Sequence, residues 1–220
     1  MERPGARTLM RYKYNPPLII KKIFNNFIWE TSNNKILLTF DDGPNPGTTE
    51  IILEELNNQK IKAVFFCVGN NIHKYPELAK DILANGHLIA NHTYNHKIIT
   101  KLPGAFAEVE IKRFNEIAED ILRFTPKYFR PPHGRFNFKT QKLMRQFKMK
   151  NVMWSLLTYD YKNDLSIVKY SVKKYLRKNS IIVLHDSLKS KDIICDSIKF
   201  IAEEAAQKGF EFGEPEECLK

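Results

Sequence analysis

The chain has little that would staple it or anchor it. Its 220 residues include three cysteines, Cys67, Cys195 and Cys218. They are too few and too scattered for a disulfide framework, and Cys195 and Cys218 lack metal-ligand spacing. Cys67 sits in the apolar run Ala63–Val68 and reads as a buried strand residue. No apolar stretch is long enough to span a bilayer. Leu18–Ile20 is broken by Lys21 and Lys22, and Ile23–Phe24 by Asn25 and Asn26. Arg3, Arg7 and Arg11 are therefore not followed by a signal-peptide core. Residues 16–29 read instead as an amphipathic surface segment, which either packs on its own domain or touches a membrane. No internal repeat, low-complexity tract or nucleic-acid-binding motif stands out.

What is present is ordinary for a folded domain. Hydrophobic residues make up 43% and charged residues 27%, which excludes a disordered chain. The length suits one large α/β domain. A net charge of +10 favours polyanionic partners such as nucleic acid, anionic lipid or an acidic wall polymer. The lysines are spread along the chain, so a generally basic solvated surface accounts for the charge equally well. A basic binding module is thus the non-enzymatic alternative.

From residue 35 onward, short apolar runs alternate with longer amphipathic ones. Strands are expected at Ile36–Phe40, Lys62–Val68, Gly86–Ala90, Lys127–Phe129, Asn151–Leu156, Ser180–Leu184 and Phe210–Phe212. Helices are expected between them, among them Pro76–Ala84, Glu108–Leu122, Thr140–Phe147, Ser166–Leu176 and Ile193–Gln207. Nearly all-apolar strands alternating with helices indicate a parallel sheet covered by helices, either open or closed into a barrel. Residues 35–220 form the expected domain, and residues 1–34 a segment that packs on it or leads into it.

Chemistry-bearing residues collect just after the expected strands. In parallel β/α folds, that is where catalytic groups gather. Asp41 and Asp42 end the first strand. They form either a turn cap before Gly43-Pro44 or a metal ligand beside a base. His92 and His96 are two of only six histidines. At a spacing of four, both rings can lie on one side of a helical turn and ligate a metal, with Thr93 fixing the first ring from behind. In Arg130-Pro131-Pro132-His133-Gly134 the prolines stiffen the loop and Arg130 is a fixed donor for a carboxylate. His185 is delivered to the sheet edge, where a carboxylate such as Asp160 would raise its pKa and fit it for acid catalysis. Each of these residues alone is equally well explained as a cap or a solvated side chain.

Taken in order, the motifs resemble those of the NodB-homology polysaccharide deacetylases, carbohydrate esterase family 4. Thr39–Pro44 matches the first motif, and His92–His96 the second. Arg130–Gly134 matches the third with His133 in an aromatic place. Asp160-Tyr161 stands where Asp-Trp is usual, and Val183-Leu184-His185 matches the fifth. The resemblance covers residues 35–212. It implies a single-domain distorted (β/α)7 barrel that hydrolyses the N-acetyl amide bond of N-acetylhexosamine polymers, peptidoglycan first and chitin-like oligosaccharides second. Another amide or an O-acetyl ester is the alternative substrate for the same site. The resemblance also implies one divalent metal, zinc first, with cobalt, nickel or manganese as alternatives, held by Asp42, His92 and His96. Asp41 would be the base, oriented by Arg130, and His185 the acid, tuned by Asp160. His133 would offer a backbone N–H to the oxyanion beside Gly134, and Tyr161 and Leu184 would line the acetyl pocket. A wall polymer as substrate calls for export, whereas a small precursor fits a cytoplasmic enzyme.

Overall fold

Seven short strands, most of them separated by helices, make up this computed structural model, which describes residues 14–220. Arg3, Arg7, Arg11 and the rest of the segment before Tyr14 lie outside the described residues. The strands are β1 (Leu37–Asp41), β2 (Ala63–Cys67), β3 (Leu88–Asn91), β4 (Tyr128–Phe129), β5 (Lys150–Asn151), β6 (Leu156–Leu157) and β7 (Ile181–His185). They form one curled sheet in the order β5-β4-β3-β2-β1-β7-β6, with every neighbouring pair parallel. The fold is thus a single-domain α/β half-barrel, open along a seam between β5 and β6.

Strand alternation sorts the apolar side chains into two layers. Leu37, Val64, Phe66, Ala90 and Ile181 fill the concave inside. Leu38, Phe40, Phe65, Ile182 and Leu184 face outward into the larger cluster under the helices. Nine α-helices lie among the described residues: α1 (Leu18–Ile23), α2 (Thr49–Asn58), α3 (Gly69–Lys74), α4 (Pro76–Ala84), α5 (Gly104–Leu122), α6 (Phe138–Gln146), α7 (Leu165–Tyr175), α8 (Ile194–Gln207) and α9 (Pro215–Cys218). Local chemistry starts two of them. Asn137 and Thr140 make a reciprocal capping box at α6, and the Asp164 carboxylate accepts from Ser166 N at α7. None of the helices among the described residues is long and apolar enough to cross a membrane.

Two expected strands differ from what the sequence suggests. The run Asn151–Leu156 splits into β5 and β6, which lie at opposite edges of the sheet. Between them Val152 O and Met153 O accept hydrogen bonds from Arg130, and Met153 N donates to Ile28 O at 2.8 Å. Those groups serve the barrel interior, so they cannot continue a ladder. Phe210–Phe212 contributes only the isolated parallel bridge of Phe212 to Ile36.

The N-terminal segment closes the seam. Ile28 bridges to Val152 and Glu30 to Ser180. Phe24, Phe27 and Trp29 cluster with Met153, and Trp29 Nε1 donates to Phe24 O at 2.9 Å. Tyr14 is buried against the rings of Tyr159 and Tyr175. Removing the Phe27 ring should therefore act as a core deletion. Phe27→Ala is expected to cost about 3 kcal/mol in urea unfolding; a change near zero would show that the seam does not depend on this cluster.

Candidate active site

The parallel register brings the chemistry to one end of the sheet. Asp41, the last residue of β1, stands opposite His185 on β7 and Phe66 on β2. His92 follows β3, Arg130 follows β4, and Asp160 lies just beyond β6. Side chains separated by most of the sequence therefore converge at the C-terminal strand ends.

Asp41 and Arg130 form a buried ion pair, with Nη1 to Oδ1 at 2.7 Å. Burial lowers the guanidinium pKa, and the Asp41 charge opposes that. The remaining donors hold Arg130 rigid: Nη1 to Thr39 Oγ1 at 2.8 Å, Nε to Val152 O at 3.0 Å and Nη2 to Met153 O at 2.8 Å. The Phe66 ring lies under the guanidinium at 3.9 Å. Such a pair fixes its carboxylate within a narrow range of positions.

Asp42, His92 and His96 form a second cluster, whose donor atoms all lie within 4.8 Å of one another. Asp42 Oδ1 is 3.1 Å from His96 Nε2 and 3.7 Å from His92 Nε2. Burial alone would raise the Asp42 carboxyl. The hydrogen bond to His96 and the charges of His185, His92 and His96 outweigh it and hold Asp42 well below the usual carboxylate range. His92 is pushed down to about 4 by its burial, so it is neutral at pH 7. Its Nδ1 lies 2.7 Å from Arg130 O, which makes Nδ1 the protonated nitrogen and leaves the Nε2 lone pair facing Asp42. An anionic carboxylate and an imidazole in the correct tautomer, with His96 Nε2 beside them, make a donor set that fits a divalent metal.

His185 lies across the cleft, paired with Asp160. Nδ1 is 2.8 Å from Asp160 Oδ1, and His185 N donates to Oδ2 at 2.7 Å. Burial lowers the imidazole pKa, but the fully buried Asp160 and, more weakly, Asp42 and Asp41 lift it to about 9. The ring is therefore cationic at neutral pH.

The sequence pattern of the polysaccharide deacetylase family matches residues 29–152, more than half of the chain. The chain belongs to the polysaccharide deacetylase family. Two Bacillus cereus relatives, both named peptidoglycan-N-acetylglucosamine deacetylase, are 33% identical over 152 residues and 32% identical over 198 residues. The first alignment covers 69% of this chain and 55% of the relative, so the chain spans about half of that protein's length. The second covers 87% and 92%. A solved peptidoglycan N-acetylglucosamine deacetylase in complex with an N-hydroxybenzamide has the same fold, with a TM-score of 0.84 at 27% identity. That match covers 92% of this chain and 96% of the other. It thus extends past Asp160 and His185, which the family pattern does not reach.

In this deacetylase-family chain the two clusters open onto a cleft of about 460 Å³, lined by Asp41, Asp42, His92, His96, His133, Gly134, Tyr161 and His185. The Tyr161 ring meets His185 edge-on at 4.8 Å, and the His133 ring lies 4.8 Å from His96. Burial lowers the His133 pKa, aided by His96 and opposed by Asp42. Gly134 has φ +61°, and a β-carbon there would collide with the Trp154 ring, so the wall needs glycine.

Three expectations need correction. Leu184 does not line the cleft; it is fully buried in the outer layer, and Val183 lines the cleft instead. Alternation from inward-facing His185 puts residue 183, not 184, on the same face. His92 and His96 meet through an irregular loop rather than a helical turn, with positive φ at Thr93 and His96. Finally, the Arg130 carbonyl orients the His92 ring, while Thr93 Oγ1 has no hydrogen-bond partner among the described residues.

Trp154 and Leu157 in the cleft wall and Asp186 behind it are not among the residues expected from the sequence. Asp186 is buried and accepts from Thr49 Oγ1 at 2.5 Å, and its carboxyl is pushed up to about 8, burial being the chief cause. It sits against Gly43, where any β-carbon would run into its carboxylate. Asn71 Nδ2 donates to Asp42 O at 2.9 Å, while Asn45 Nδ2 bridges Asp42 O and Asp186 O. These contacts clamp the turn that carries Asp42.

The His185–Asp160 pair has a signed consequence. The folded value of about 9 lies above the ordinary histidine value, so its contribution to stability is complete below about pH 6.5 and fades as pH rises through about 9. Asp160→Asn should move the His185 midpoint to lower pH in an NMR titration of the imidazole. An unchanged midpoint would show that Asp160 is not the source of the shift.

Proposed function

We propose that the protein is a metal-dependent N-deacetylase of N-acetylhexosamine polymers, with peptidoglycan N-acetylglucosamine as its substrate. The observation that carries this reading is one cleft lined by three side chains that could hold a metal, a carboxylate fixed by Arg130 and an imidazole paired with Asp160. Asp42, His92 and His96 would hold the metal. A bound divalent ion, zinc by the nitrogen and oxygen character of the donors, would supply positive charge to activate water and polarise the amide oxygen.

The protein's own residues account for the proton transfers. Asp41 is positioned by Arg130 to accept a proton as water attacks the carbonyl. His185, kept protonated by Asp160, donates to the departing sugar amine, which leaves poorly as an anion. The backbone N–H at His133 is assigned to the oxyanion. Trp154, Leu157, Val183 and Tyr161 line the cleft and suit the acetyl methyl. Lys189 also lines the cleft, and both it and Arg135 act on His133 by charge. A lysine in the cleft wall favours an anionic wall polymer over neutral chitin.

Acetate release from peptidoglycan, chitooligosaccharides and acetylated xylan, with chelator and metal add-back, tests the reading. Release should be greatest from peptidoglycan, abolished by chelation and restored by zinc. Asp41→Asn should retain metal yet lose turnover by about 10²–10⁴-fold. His92→Ala should lose the metal itself. Normal activity in either variant, or no release from any of these polymers, would sink the assignment.

A further inference from the structure

The short helix α1 turns its apolar side chains away from the protein. None of its residues is buried. Leu18 is 73% exposed, Ile19 66% and Ile23 50%, while Ile20 alone packs toward the aromatic cluster at the seam. The patch continues onto α6. Phe138 is 65% exposed, and its ring stacks on Phe24, the residue after Ile23, at 4.9 Å. Gln141 Nε2 joins the two segments through Asn26 Oδ1 at 2.6 Å. Exposed aliphatic and aromatic side chains grouped this way mark an interaction surface rather than ordinary scatter.

The segments that carry the patch are rich in one sign of charge, although Glu108 shares a groove with Lys139 and Lys142. No Asp or Glu occurs between Asp120 and Asp160, a stretch that includes Lys139, Lys142, Arg145 and Lys148. Nor does any occur from Tyr14 to Trp29, where Lys22 is exposed. Glu30, the acid that follows, is already paired with Lys21 at 2.8 Å. Apolar groups on segments rich in cations suit a layer with negative headgroups above hydrocarbon. A soluble polyanion would engage the lysines but leave the leucine, isoleucines and phenylalanine in water.

We propose that α1 and the start of α6 form a docking face for an anionic lipid bilayer. The cleft adjoins this face directly. Gly134 lines the cleft, Arg135 follows, and Phe136 packs on Phe24 and Phe27. Docking would therefore hold the cleft beside the membrane surface. The face acts independently of the chemistry proposed for the cleft.

Cosedimentation of the full chain with phosphatidylcholine vesicles, with and without phosphatidylglycerol, tests this. Binding should require phosphatidylglycerol and fall with salt. The double variant Ile19→Ser, Ile23→Ser should weaken it by at least about tenfold, as should Lys139→Gln with Lys142→Gln. Both variants should keep their melting temperature and their activity on soluble oligosaccharide. Three results would overturn the proposal: no binding to anionic vesicles, vesicle binding unchanged in the apolar double variant, or a dimer in sedimentation that the apolar variant abolishes. Full competition by soluble polyglycerol phosphate, with the apolar variant binding that polymer unchanged, would assign the face to a polymer instead.

Discussion

Arg130 is wholly buried and ties the end of β1 to the seam. Its side chain bonds to Asp41 and Thr39 on β1 and to the carbonyls of Val152 and Met153 at the seam. Its own carbonyl orients the His92 ring. A single residue thus sets the direction of the carboxylate assigned as base and the tautomer of an imidazole assigned as ligand. A buried charge is costly unless its partners are fixed, and breaking such a pair costs about 3–5 kcal/mol. The seam residues are therefore part of the site: the N-terminal segment covers the carbonyls that Arg130 needs.

The two sides of the cleft show one residue type driven in opposite directions. His92 is buried with a backbone carbonyl as its hydrogen-bond partner and falls to about 4. His185 is bonded to a buried carboxylate and rises to about 9. Near neutral pH the first is an electron-pair donor and the second a proton donor. Divergent environments of this kind separate acid, base and ligand roles within one small volume.

Much of this was legible in the sequence because the strands are apolar and their ends are not. Asp41, His92, Arg130 and His185 each break or follow an apolar run, and a parallel β/α pattern sends such positions to one rim. Less was legible where long-range contacts decide. Asn151–Leu156 looks like one strand; its division depends on Arg130 and Ile28, distant residues that take its backbone groups. Trp154 was hidden by the same reading, since its place in the cleft follows from the chain crossing the seam. The His92–His96 spacing suited a helical turn, yet positive φ at Thr93 and His96 produces the same convergence in a loop. Val183 was recoverable from alternation with His185; the motif resemblance pointed to Leu184 instead. Asp186 gave no local signal, because its role comes from burial against Gly43 and Thr49.

The proposed chemistry requires a metal at Asp42, His92 and His96, within reach of Asp41 and His185. Crystals grown with cobalt and measured at the cobalt absorption edge test this most directly. The predicted result is one anomalous peak per chain, about 2.0–2.2 Å from His92 Nε2, His96 Nε2 and an Asp42 carboxylate oxygen. A peak at other side chains, or no peak at all, would contradict the account.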